Sequence, residues 1–159
     1  MIAHNSSLRP KIAWLIPCYN EAITIKSVIS EIQSHCPEAD IYVYDNNSHD
    51  ETAKLALDCG AIVRHESRQG KGYVVRRMFE EIEADFYFLI DGDATYSIPD
   101  WNKLLQSISD QTADMAVASR LENFTPKSFR PLHVIGNKFL CSLIRIMFRV
   151  PIRDMLSGY

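Results

Sequence analysis

Asp91 and Asp93 stand one residue apart at the end of an apolar run, in the stretch FLIDGDATYS from Phe88 to Ser97. Each carboxylate makes the other harder to ionise, so the pair needs a positive partner. Residues i and i+2 of an extended chain point to one side, and Gly92 between them allows a tight backbone. Oxygen-only ligands on a short turn suit Mg²⁺ or Mn²⁺, with phosphate oxygens completing the shell. The competing reading is an ordinary acidic turn after a strand. The apolar FYFLI before the pair and TYSIP after it favour the ligand reading.

Other polar clusters follow other apolar runs. In PCYNE (17–21), Pro17 fixes a turn, Asn20 caps a helix and Glu21 opens it; alternatively Tyr19, Asn20 and Glu21 border a nucleoside. In DNNSHDET (45–52), Asp45 accepts from a base N–H or a ribose hydroxyl, while Ser48 and Asp50 serve mainly as caps. In RQGKG (68–72), small residues at a helix start form an anion site to which Lys71 adds a charge; the alternative is a flexible loop with a solvated lysine. The fifth cluster is Ser119 and Arg120. The five histidines are scattered, and none is expected to be a ligand.

The elements that would position these residues alternate. IAWLI (12–16, ended by Pro17), IYVYD (41–45), AIVRH (61–65), FYFLID (86–91) and MAVAS (115–119) read as strands covered on both faces. Between them, Ile25/Val28/Ile29/Ile32, Val75/Met78/Phe79/Ile82 and Trp101/Leu104/Leu105/Ile108 each follow the i, i+3, i+4, i+7 spacing of an amphipathic helix. Ser48 with Glu51 predicts a capping box, Gly60 a helix C′ position, and Pro99 the first turn of a fourth helix. Residues 120–131 read as a loop. A last helix is expected over about 132–149, with a wide apolar face that packs on the sheet or lies in a membrane interface. The order predicts an α/β layered fold with a mainly parallel central sheet flanked by helices. In such a sheet ligands gather at the carboxyl ends of the strands, which is where the polar clusters fall.

The chain has 159 residues, 47 % apolar and 23 % charged, with a net charge of −3. That is one domain able to bury a core, and not a nucleic-acid binder. Residues 120–159 carry seven Lys/Arg against Glu122 and Asp154, a local +5 that leaves −8 for the first 119 residues. A basic tail on an acidic body fits an anionic partner or a solvated helix face. Cys18, Cys36, Cys59 and Cys141 show no ligand spacing, which argues against a zinc site and for a reducing, cytoplasmic setting. No signal peptide or spanning segment is evident.

Taken together, IPCYNE, VYDNNSHDET, RQGKG, FLIDGDATY and DMLSGY resemble a family 2 glycosyltransferase of GT-A (Rossmann-like) fold, over about residues 12–159 with 1–11 as an N-terminal extension. The branch resembled is that of dolichyl-phosphate mannose synthase and the polyprenyl-phosphate glycosyltransferases. The resemblance implies a nucleotide-sugar donor, Mg²⁺ or Mn²⁺, and a lipid-phosphate or glycan acceptor at the cytoplasmic membrane face, with peripheral membrane contact. It places Pro17, Tyr19, Asn20, Glu21 and Lys71 around the nucleotide and Asp45 near the base. Asp91, Gly92 and Asp93 form the D-x-D turn on donor ribose, metal and diphosphate, and Asp154 lies near the acceptor. Thr95 stands where some relatives have Gln, so the resemblance does not extend to a third metal contact there. Relatives continue past the SGY motif, so the acceptor side is expected to be incomplete here.

The implied reaction is an inverting transfer. An anionic lipid-phosphate acceptor requires little base catalysis, so Asp154 positions groups; a sugar hydroxyl requires Asp154 as general base. Arg120 and Arg130 are candidates for an acceptor phosphate, with Arg149 as a further contact to phosphate or anionic lipid. The rival readings are a non-catalytic donor-binding domain and a sugar-nucleotide pyrophosphorylase. The latter would have a Gly/Arg-rich loop where this chain has PCYNE.

Overall fold

The computed structural model describes residues 9–95, 98, 101–110 and 113–117. Its elements run β1 (Ile12–Cys18), α1 (Ile25–His35), β2 (Asp40–Asp45), α2 (Thr52–Asp58), β3 (Ile62–His65), α3 (Lys71–Glu81), β4 (Phe86–Leu89) and α4 (Trp101–Ser109). The four strands form one parallel sheet in the order β3-β2-β1-β4. Parallel strands need crossovers, and each helix between two strands supplies one.

The side-chain alternation of β1 divides the interior. Ile12, Trp14, Ile16 and Cys18 face the buried stripe Ile25, Val28, Ile29 and Ile32 of α1, with Ala56 and Trp101 beside them. Ala13 and Leu15 face Val74, Met78 and Ile82 of the α3 segment, with Tyr42 and Tyr44 of β2. Trp14 is fully buried, stacked on Phe88 with ring centroids 4.7 Å apart, while Trp101 meets both rings edge-on. Opposite, the Tyr44 hydroxyl donates to Glu81 Oε2 at 2.8 Å, and Arg64 and Arg77 bind the same carboxylate, which ties α3 to the sheet.

Several sequence expectations shift. Pro17 does not end the first strand, which runs on to Cys18. In a parallel strand the N–H and C=O of one residue point the same way. The Leu15 carbonyl accepts from Ile90 on the β4 side and the Cys18 carbonyl from Asn46 on the β2 side. Pro17 therefore faces β4 where β4 has already ended, and its missing donor breaks no ladder bond. The α3 stripe is Val74, Met78 and Ile82; Phe79 is half-exposed, edge-on to Tyr87. β3 is the sheet edge, and Ile62 and His65 are exposed rather than covered on both faces. Residues 115–117 carry no strand.

The cap expectations divide in the same way. Gly60 ends α2 as expected: its φ is +85°, its N–H bonds to Leu57 O, and Ala61 N–H bonds to Ala56 O, a Schellman closure. The capping box does not form. α2 begins at Thr52, whose N–H is taken by Asp50 Oδ1, and the Ser48 hydroxyl is committed elsewhere. Pro99, the 120–131 loop and the 132–149 helix lie outside the described residues. Among the described residues, no helix is long and apolar enough to cross a membrane.

Candidate functional site

The carboxyl ends of β1, β2 and β4 and the first turn of α3 surround a cleft of about 330 Å³, lined by Pro17, Tyr19, Glu21, Lys71, Asp91, Gly92 and Asp93 among others. Seven residues singled out from the sequence thus meet in one cavity. Asp45 sits beside it at the end of β2, 6 % exposed. Its Oδ2 accepts from the Ser48 N–H at 3.2 Å and meets His65 Nδ1 at 3.4 Å. Its Oδ1 is buried with no hydrogen-bond partner. A buried carboxylate oxygen left without a donor is costly, and an incoming N–H or hydroxyl would satisfy it. Arg120, Arg130 and Asp154 lie outside the described residues.

Asn20 does not cap α1, whose N-cap is Thr24, and Glu21 does not open the helix. Asn20 has φ +58°, a left-handed conformation that asparagine tolerates. Its N–H donates to Ser48 Oγ at 2.9 Å and its Oδ1 accepts from the His49 N–H at 2.8 Å. The next two amides follow suit, Glu21 N–H to Thr52 Oγ1 at 2.8 Å and Ala22 N–H to Asp50 Oδ2 at 3.1 Å. The hydroxyls and acids of DNNSHDET, expected mainly as caps, therefore bind the loop after β1.

The D-x-D turn is held from three sides. Asp93 Oδ1 accepts from both the Thr95 N–H (3.0 Å) and hydroxyl (2.7 Å), so Thr95 orients an acid. Ala94 has φ +57°, a region that costs a non-glycine residue about 1–2 kcal/mol. The Gly92 carbonyl accepts from Thr24 Oγ1 at 2.6 Å. Gly92 itself packs so closely on the loop after β1 that an added Cβ would lie 2.8 Å from Cys18 Sγ and 3.4 Å from Glu21 Cγ. Glycine is needed here for close approach. Gly92→Ala is expected to destabilise the fold by pushing the turn off Cys18, an overpacking cost of about 1–3 kcal/mol. Cys18→Ala in the same chain is expected to recover part of the loss. Urea unfolding of the single and double variants measures this, and equal stabilities for both would refute the contact.

Charge in the cleft is lopsided. Lys71 opens α3, and its Nζ forms an ion pair with Asp91 Oδ1. Burial first, then the charge of Asp93 and more weakly those of Asp91 and Asp50, hold the Glu21 carboxyl above its usual range, against a lowering hydrogen bond from Thr24. Burial, with Glu21, Asp45, Asp91 and Asp50 adding to it, pushes the Cys18 thiol far up, so it stays an inert thiol. A carboxyl raised in the folded state contributes stability below its unfolded value near 4.5 and loses it as pH rises through the folded value. Glu21→Gln is therefore expected to raise the melting temperature at about pH 7 and to leave it unchanged below about pH 4. Thermal melts across that range check the sign.

Asn46 was not singled out from the sequence. It is 3 % exposed and lines the cleft. Its Nδ2 donates to the carbonyls of Glu66 and Arg68, both at 2.8 Å, and its Oδ1 accepts from the Gly70 N–H at 2.7 Å. One amide thus places the loop that delivers Lys71. Cys18 at the end of β1, Gln69 in the loop before α3 and Val74 within α3 were also missed as lining residues.

The donor set suits a hard dication. Glu21, Asp91 and Asp93 offer oxygen only, and their mutual repulsion is what such an ion relieves. Among the described residues no group of three or more His, Cys, Asp or Glu is arranged to hold a metal ion.

The chain is 43 % identical over 122 residues to protein RfbJ of Shigella flexneri, covering 77 % of this chain and 95 % of that protein. It is 25 % identical over 168 residues to the UDP-N-acetylglucosamine–dolichyl-phosphate N-acetylglucosaminyltransferase of Methanococcus voltae, covering 91 % of this chain and 66 % of that one. Crystal structures of glucosyl-3-phosphoglycerate synthase from Mycobacterium tuberculosis share the fold. The complex with UDP superimposes at TM-score 0.65 and 22 % identity, over 94 % of this chain and 55 % of that one. The complex with Mn²⁺, UDP-glucose and phosphoglyceric acid gives TM-score 0.55 and 27 % identity, over 62 % and 39 %. The chain thus spans about half the length of this mycobacterial enzyme. The sequence model described as Glycosyl transferase family 2 matches residues 13–154, nearly the whole chain, and with the relative at 43 % identity it shows that this protein belongs to that family.

Proposed function

We propose that the chain supplies the donor site of an inverting glycosyltransferase that moves a sugar from a UDP- or GDP-sugar to a polyprenyl phosphate at the cytoplasmic face of a membrane. The observation that carries the donor site is the convergence of Glu21, Asp91, Asp93 and Lys71 in one cleft at the carboxyl ends of the strands. The pyrophosphorylase reading is set aside by the family match.

In this reading Asp45 takes the base or ribose on its unpartnered Oδ1. Pro17, Tyr19, Asn20 and Glu21 border the nucleoside, with Tyr19 half-exposed at the rim. Asp91 and Asp93 would hold Mg²⁺ or Mn²⁺ together with the diphosphate, and Thr95 fixes the Asp93 carboxylate. The ion would supply neutralisation of the charge that develops on the leaving diphosphate. Lys71 adds a second positive charge on the same side. Asp154, Arg120 and Arg130 belong to the acceptor side. The acceptor is argued from the Methanococcus relative, whose name specifies dolichyl phosphate.

A thermal-shift screen of UDP- and GDP-sugars with and without Mn²⁺ tests the donor site, because a ligand that binds only the folded form raises the melting temperature by mass action. Metal-dependent stabilisation by one donor is the expected result; no stabilisation by any of them would refute the reading. Product assays with polyprenyl phosphate and with sugar hydroxyl acceptors then test the transfer. Turnover of hydroxyl acceptors alone would overturn the lipid-phosphate acceptor. Donor binding without product would mark a binding module.

A further inference from the structure

Among the described residues three carboxylates, Glu21, Asp91 and Asp93, share the cleft with one ammonium, that of Lys71. Lys71 is the first residue of α3 and is bonded to Asp91 Oδ1. Its side chain is 49 % exposed and that of Asp91 21 %, so the bridge lies on the open wall of the cleft. A lysine ammonium is a compact charge on a flexible four-carbon stem, and it can change partners without moving the backbone.

We propose that the Lys71–Asp91 bridge is a latch that makes divalent-ion binding depend on the nucleotide. Without nucleotide, Lys71 neutralises Asp91 and competes with a dication for the same oxygen. When a nucleoside diphosphate enters, its phosphate oxygens offer Lys71 another anionic partner. Lys71 transfers to them and releases Asp91 to the ion. Ion and nucleotide then bind cooperatively, and by linkage each raises the affinity of the other by the same factor. The inference rests on the donor-site reading above and adds to it an order of events set by one side chain.

The test is calorimetric titration of Mn²⁺ into the full chain, alone and with saturating UDP or GDP, for the native protein, Lys71→Met and Lys71→Arg. Lys71 is exposed and outside both core clusters, and circular dichroism melts verify that each variant is folded. The native protein is expected to bind Mn²⁺ weakly alone and at least about tenfold more tightly with the effective nucleotide, within the usual span of coupling between sites. Lys71→Met is expected to bind Mn²⁺ alone on the order of tenfold more tightly than the native protein, the scale of one unit charge removed a few ångströms from a cation at a part-exposed site. Its nucleotide dependence is expected to shrink. Lys71→Arg, which keeps the charge, is expected to keep the weak ion-only binding. Unchanged or weaker ion-only binding in Lys71→Met, with nucleotide-dependent Mn²⁺ binding retained in the native protein, overturns the latch and leaves the donor site standing. No Mn²⁺ binding by any form with either nucleotide overturns both.

Discussion

In the proposed reaction Asp93→Asn is expected to lower kcat by about 10²- to 10³-fold, the scale of losing stabilisation of developing charge, because Asp93 would hold the cation that neutralises the leaving diphosphate. The backbone of the turn should not move, because asparagine keeps an Oδ1 for the Thr95 N–H and hydroxyl. Stability should change in the opposite sense. After burial, the neighbouring charge of Asp93 does most to raise the Glu21 carboxyl, so removing it relieves a repulsion, and the melting temperature at neutral pH should rise. Opposite signs in activity and stability are the mark of a group kept for function at a cost in folding. Paired measurements of kcat and melting temperature decide it. Full turnover in the variant would remove Asp93 from the chemistry, whatever the melt showed.

Trp14→Ala is expected to cost about 3–5 kcal/mol, the range for deleting a fully buried large aromatic side chain. Marginal stability makes that loss severe, since a native domain rests on only about 5–15 kcal/mol. The reason is local. Trp14 is at 0 % exposure on the central strand, stacked on Phe88 and met edge-on by Trp101, so its removal strands two further aromatic rings from different elements. Urea unfolding should show a lower midpoint with an unchanged slope, as for a pure stability change. Phe79→Ala, on a half-exposed ring, should cost much less; equal losses at the two positions would contradict the assigned core.

The two positions also show what the sequence could reveal. The α1 stripe was legible because Ile25, Val28, Ile29 and Ile32 are flanked by polar residues, leaving one phase for the helix. In α3, apolar side chains at 74, 75, 78 and 79 form two overlapping stripes one residue apart. Periodicity cannot choose between them; packing against Leu15 and Tyr44 does. The strand order could not be read at all, so nothing marked 62–65 as an edge. The cleft was legible through a topological rule, that ligands gather at strand ends, and through the acid pair. Asn46 stayed hidden because its role is to satisfy backbone groups of a loop twenty residues away. Composition carries no trace of such partners.

The bonds that join residues 20–22 to the segment 48–52 have an evolutionary consequence. Three amides of one strand-end loop find their acceptors on the other, and Asn20 returns the favour to His49. A chimaera that imports one of these loops from a relative without its mate would orphan those donors at once. The two loops therefore form one structural unit, and an exchange with a relative is expected to be tolerated only when both segments are carried together.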